Sequence, residues 1–238
     1  DSKTHHSISQ ASEFANDGYE SPTLIEYAAF NGSLNIFKFL WMNEAKLTNN
    51  ILKMAVLGGS YEIIHLLESK NIVFDNSTLN TAIEYHRNEI VDYIQNSNGI
   101  ELNNSSFLTS ISNYNIDIFL NHIENCEKLD FENAIEIACE KGTLDIVEYL
   151  SNFTKNKNQL GLLKAAANGH LDIVMYLVND MKCNVNIKDS NGWTPLFFAV
   201  RNFHFDILNF LLNRNEIDLN IIDEIIFIFF FFLWCFKI

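Results

Sequence analysis

Apolar residues fall along this chain in short stripes of helical spacing, and the stripes come in pairs. The clearest pair is Asn191–Leu212, NGWTPLFFAVRNFHFDILNFLL. Leu196, Ala199 and Val200 share one face at i, i+3, i+4; Ile207, Leu208, Leu211 and Leu212 form a second stripe after Arg201-Asn202-Phe203 breaks the first. Asn191-Gly192 is a turn signal, because both residues adopt positive φ at low cost. Thr194 is placed to cap the first helix, Pro195 is harmless in its first turn, and Asp206 suits the positive end of the second. The stretch predicts a helix–turn–helix unit with a small-residue first helix.

Weaker copies fill most of the chain. Ile36, Ile63, Ile90, Ile118, Ile146, Ile173 and Ile207 each open a second helix, and six of the seven follow Asp or Glu. The step from one to the next is nearly constant until Ile173, and the last step, to Ile207, is longer. Eight positions before each isoleucine lies a small residue: Ala28, Ala55, Ala82, Ser110, Ala138, Ala165 or Ala199. Close helix–helix approach requires such a column. Gly32, Gly58-Gly59, Gly142 and Gly169 stop the first helices. His86, Tyr114 and Phe203 take that place in the third, fourth and seventh units, which predicts either strain or a different turn there. The fold class is therefore all-α, a solenoid of about seven repeats.

Thr194-Pro195-Leu196-Phe197-Phe198-Ala199 resembles the T-P-L-H-x-A signature of ankyrin repeats. Phe197 stands where the family usually has the His that ties neighbouring loops. The short units, with a period of roughly 27–28 against the family's 33, have no room for the family's projecting finger. Only the long last step has room for one, in Asn184–Gly192. Ile217–Asp223 reads as a partial second copy of that finger. The mixture resembles divergent, Asn-rich ankyrin proteins expanded in some unicellular parasites, over residues 21–224. The resemblance implies a protein–protein interaction scaffold that binds through its concave face, with no enzymatic role and no cofactor. The implied partner-binding positions are Ser190, Asn191, Trp193, Arg201 and Asn202 in the seventh unit, continued by Asn168 and Lys141. Trp193 serves either as a contact anchor or as packing on the next finger.

Sixteen basic against 30 acidic residues give a net charge of −14. Nucleic acid and anionic membranes are disfavoured as partners, and a protein with a basic or neutral surface is favoured. Cys126, Cys139, Cys183 and Cys235 have no zinc spacing, and Cys139 falls on a core face. A reducing cytoplasm is the expected compartment.

Residues 1–20 are polar and read as a disordered arm or frayed cap; His5-His6 lacks a third metal ligand. The chain starts at Asp1, which suggests a trimmed or partial sequence and leaves open a targeting module within a larger protein. From Ile225 to Phe236 an uncharged run breaks the repeat. It is short for a membrane anchor, which needs about 20 residues. A cap on the seventh unit is a second reading. A sequence artefact is preferred, since the run begins in mid-motif and is almost all Phe and Ile.

No phosphate-binding or nucleophile-elbow motif occurs. His122 and Cys126 are spaced i, i+4, but no third orienting group is visible. His122 takes the place that Leu177 holds in the sixth unit, and reads as a half-exposed histidine in a degenerate repeat. Glu136 and Glu140 read as a solvated helix face, and the aromatic residues Phe30, Phe37, Phe39, Tyr149, Tyr176 and Phe210 as core.

Overall fold

A computed structural model describes residues 22–126, 128–154 and 159–218; the polar arm and the hydrophobic tail lie outside the described residues. The described residues form fourteen α-helices and no strand. They are α1 (Leu24–Phe30), α2 (Leu34–Met42), α3 (Ile51–Gly58), α4 (Tyr61–Glu68), α5 (Asn76–Glu84), α6 (Asn88–Asn98), α7 (Asn104–Ser112) and α8 (Ile116–Asn125). There follow α9 (Phe131–Lys141), α10 (Leu144–Ser151), α11 (Gln159–Asn168), α12 (Leu171–Asn179), α13 (Pro195–Arg201) and α14 (Phe205–Leu212). The chain divides after Cys126 into two compact units, with four helix pairs in the first and three in the second. Both are helix–turn–helix solenoids of the expected kind.

Five of the first helices start from a side-chain cap. Thr23, Asp75, Asn103, Asp130 and Thr194 each accept a bond from the amide three positions on. Thr23 and Glu26 complete a capping box, and Pro195 occupies the first turn of α13 as its fixed φ allows. Such a cap contributes about 1 kcal/mol.

Within each unit the first helices stack along the small-residue column. Ala55, Ala82, Ser110, Ala138 and Ala165 are fully buried, and Ala28 and Ala199 nearly so. A larger side chain there would push neighbouring helices apart. The isoleucine column is buried too, except for Ile36 in the first pair. Burying each such side chain stabilises by about 1.5–3 kcal/mol. The aromatic reading needs correction: Phe37 is fully buried, but Phe39 is 66% and Tyr149 39% exposed. Both lie on second helices, and Tyr149 is only partly covered, by the Phe153 ring 5.3 Å away.

The inter-helix turn is left-handed in all the glycine-bearing pairs, at Gly32, Gly59, Gly142 and Gly169. It is left-handed also where glycine is missing: His86 has φ 54°, Tyr114 54° and Phe203 62°. The turn thus keeps its shape and is strained in these three places. An L-residue in this region costs about 1–2 kcal/mol, while glycine loses about 0.5–1 kcal/mol more backbone entropy. Tyr114→Gly is therefore expected to stabilise the first unit by about 0.5–1 kcal/mol in urea denaturation. A fall in stability would show that contacts of the exposed phenol outweigh the strain.

Candidate interaction surface

Most second helices start without a side-chain cap; Asn115, which accepts from the Ile118 amide through Oδ1, is an exception. Arg87, Thr143, His170 and His204 make no side-chain cap bond. Several second-helix N-cap residues reach back to the preceding pair. Arg87 donates from Nε and Nη2 to the Leu57 carbonyl (3.2 and 2.6 Å), and Asn115 donates to Ile83 (2.9 Å). His170 and His204 donate from Nε2 to the carbonyls of Glu140 and Ala167, both at 3.1 Å. These carbonyls end first helices, where orphan acceptors need partners. The two imidazoles sit so tightly that a Cβ on Gly142 would lie 2.4 Å from His170, and one on Gly169 2.7 Å from His204. Sequence reasoning misses this column, because its residue types differ and share only a donor.

The finger of the seventh pair is built around Asp189. Its Oδ1 accepts from the amides of Asn191 (2.9 Å) and Trp193 (2.8 Å), and its own amide donates to the Trp193 carbonyl (3.0 Å). Gly192, at φ 81°, closes the turn by donating to the Asp189 carbonyl. Desolvation pushes the Asp189 carboxyl up, but the Trp193 and Asn191 amides outweigh it and hold its pKa below the ordinary value. Asn186 then clasps the following segment. Its Nδ2 donates to the Glu216 carbonyl (2.7 Å) and its Oδ1 accepts from the Asp218 amide (2.8 Å). A loop tie therefore exists without the histidine that Phe197 replaces.

Ser190 and Asn191 are exposed at the tip of this turn. Trp193 is half-buried. Its indole stacks on Phe197 (centroids 4.8 Å apart), meets Phe198 edge-on (5.7 Å) and carries the Arg201 guanidinium 4.7 Å above its ring. Trp193 thus packs on the first helix of its own repeat. Such a cation–π contact is worth about 0.5–1 kcal/mol at an exposed site. Asn202 points its Nδ2 at the Ala167 carbonyl (2.6 Å), so it helps to join the sixth and seventh pairs. Asn168 is exposed and caps its own helix through the Lys164 carbonyl (2.9 Å). Lys141 is exposed at the end of α9, one pair further back. The structure therefore joins Trp193 with Arg201 in one cluster and leaves Asn168 and Lys141 as separate points.

The acidic residues of α9 behave differently from one another. Glu140 pairs with Lys164 at 2.8 Å, and that bond lowers its pKa. Burial raises that of Glu136, so the pair is not uniformly solvated.

His122 is the clearest correction. It is fully buried, not half-exposed. Its Nδ1 lies 2.7 Å from the Ile118 carbonyl and its Nε2 2.7 Å from Ser106 Oγ, with Phe107 against the ring. A carbonyl can only accept, so Nδ1 is the donor and Nε2 is left to accept from the Ser106 hydroxyl. Cys126 turns its Sγ towards the Leu102 carbonyl, and burial raises its pKa. A nucleophilic thiol needs the opposite shift, so His122 and Cys126 are not a catalytic dyad. Among the described residues no group of three His, Cys, Asp or Glu is arranged to hold a metal. No helix among them is long and apolar enough to cross a membrane.

Residues 108–189 and 135–223 match the family model for ankyrin repeats (3 copies), and residues 42–131 match a domain of unknown function, DUF3447. The chain thus carries ankyrin repeats over residues 108–223. No match was found among curated proteins. Ankyrin repeats are in general a protein–protein interaction module.

Proposed function

We propose that this protein is a non-enzymatic scaffold that binds a protein partner through the finger and first-helix side of its seventh repeat. The observation that carries this reading is the stacked cluster of Trp193, Phe197, Phe198 and Arg201 beside the exposed tip Ser190-Asn191. Trp and Arg are the residue types that dominate interface energetics, and here the two stack on one another. Asn202, Asn168 and Lys141 extend the surface as polar rim. The partner face is basic or neutral, since a net charge of −14 opposes an acidic one. A reducing cytoplasm suits the buried, unbridged thiol of Cys139.

The test is affinity capture by the full chain and by Trp193→Ala/Arg201→Glu, with quantitative mass spectrometry and a melting curve for each. A partner retained by the wild type is expected to lose about 2 kcal/mol of binding, roughly thirtyfold, in the variant. Equal capture by a variant of unchanged melting temperature would remove the seventh repeat as the binding site.

A further inference from the structure

A second surface, in the layer of second helices, carries an arrangement that repeat stacking does not account for. Four rings meet across α4, α6 and the connection between them. Tyr61 and Tyr93 lie edge to face (6.0 Å, 88°), as do His65 and Tyr93 (5.2 Å, 82°). Phe74 packs against Tyr93 (6.2 Å, 70°) and is buried, whereas Tyr61 and Tyr93 are half-exposed and His65 exposed. One part of the cluster is tied internally. The Tyr93 hydroxyl donates to Glu68 Oε2 (2.6 Å) and lies 3.1 Å from His65 Nδ1, and Asn98 donates to Glu68 Oε1 (3.3 Å).

The other part is not. Glu89 and Asp92 stand exposed near Tyr61, where burial first and then their two charges raise the phenol's pKa. Neither carboxylate takes part in an ion pair among the described residues. Helices α4 and α6 together carry Glu62, Glu68, Glu89 and Asp92 and no lysine or arginine. Of the basic residues flanking them in sequence, Arg87 is spent on the Leu57 carbonyl, and Lys70, two positions beyond α4, forms no ion pair among the described residues. Like charges at i, i+3 on one helix repel each other. Here they are left uncompensated beside aromatic faces that themselves attract cations.

We propose that the α4–α6 face docks an arginine-bearing basic segment of a protein partner, with Tyr61 and Tyr93 as the aromatic floor and Glu89 and Asp92 as the anionic rim. Charge complementarity selects this occupant. A guanidinium lies flat on a tyrosine ring and bonds a carboxylate in its plane, which an ammonium does less well. The surface belongs to the first compact unit, and the proposal does not rest on the finger of the seventh repeat, which belongs to the second.

The experiment is fluorescence anisotropy of the full chain, at physiological salt, with a fluorescein-labelled octapeptide of alternating arginine and glycine. Lysine–glycine and glutamate–glycine peptides serve as comparisons. Glu89→Gln/Asp92→Asn and Tyr61→Leu are each expected to weaken the arginine peptide at least tenfold. Asp172→Asn/Asp206→Asn removes the same two charges from α12 and α14 and is expected to change binding less than twofold. If Tyr61→Leu lowers the melting temperature, the carboxylate pair, which removes no packing, still decides. Equal weakening by the two charge-neutralising pairs would reduce the effect to net charge and overturn the proposal. Absence of binding to the wild type, or tighter binding of the lysine peptide, would overturn it as well.

Discussion

Gly58→Ala is expected to lower the stability of the first unit by about 2–3 kcal/mol, the size of an overpacked core substitution. Helix propensity alone argues the other way, since alanine in a helix interior is favoured over glycine by about 1 kcal/mol. Contact decides the sign. A Cβ on Gly58 would stand 2.4 Å from the Phe30 carbonyl oxygen, 2.7 Å from that of Ala29 and 2.9 Å from the Phe30 carbonyl carbon. These are backbone atoms at the end of α1, not side chains that can swing aside, and the Ala29 oxygen is held by the Gly32 amide in the turn. The first two helix pairs would have to separate. Gly59→Ala provides the comparison. Its Cβ would meet only the Arg87 guanidinium, at 3.8 Å, and the residue has φ 68°. It should cost about 1 kcal/mol through backbone conformation alone. Guanidinium denaturation monitored by circular dichroism, with amide exchange in α1 and α3, distinguishes the two. A Gly58→Ala protein as stable as the wild type would mean that the α1–α3 contact is looser than described.

Acidification from pH 7.5 to 5.5 is expected to destabilise the same unit through His122. Burial disfavours the imidazolium and lowers the folded-state pKa, while backbone acceptors at Ile118 and Asn103 oppose this only in part. The unfolded chain therefore takes up the proton first. Stability is complete above the ordinary histidine pKa, about 6.5. It is lost progressively as the pH falls below that value, until the folded pKa is reached. Protonation also converts Nε2 from acceptor to donor. The Ser106 hydroxyl must then turn to the Asn103 carbonyl, 2.8 Å away. His122→Gln should flatten the melting temperature between pH 5.5 and 7.5, and His122→Ala should cost about 2–4 kcal/mol at any pH in that range, through the cavity and the stranded hydroxyl. A His122 ring resonance that titrates above 6.5 in the native protein would refute the assignment. The carboxylates held low, Asp75 and Glu140 among them, lose their contribution at more acidic pH.

The repeat itself is legible in the sequence because its determinants are local and periodic. Ile63 and Ala55 recur at fixed distances, and each packs as its size requires. The finger is legible from Asn191-Gly192 and from the extra length of chain between Ile173 and Ile207. His122 misleads because a polar residue at a core position looks like decay. Its compensation lies 16 residues away in Ser106, and only folding makes them partners. The outcome at Tyr114 and Phe203 is open in sequence for a related reason. Whether the chain keeps a turn and accepts strain, or changes the turn, depends on the stacked neighbours. Of the proposed contact residues, sequence points to Trp193 and Arg201 separately; their stacking requires the finger's conformation. The α4–α6 surface gives no sequence signal, since Tyr61 and Tyr93 belong to different repeats.

The backward hydrogen bonds of the second-helix caps have a bearing on how such a chain tolerates change. Arg87 to Leu57 spans 30 residues, Asn115 to Ile83 32, His170 to Glu140 30 and His204 to Ala167 37. The longest span contains the finger, yet its bond matches the shorter one at 3.1 Å. Length and grip are thereby uncoupled. A repeat of this design can acquire or shed a loop, and with it a new recognition element, while its hold on the preceding repeat stays the same.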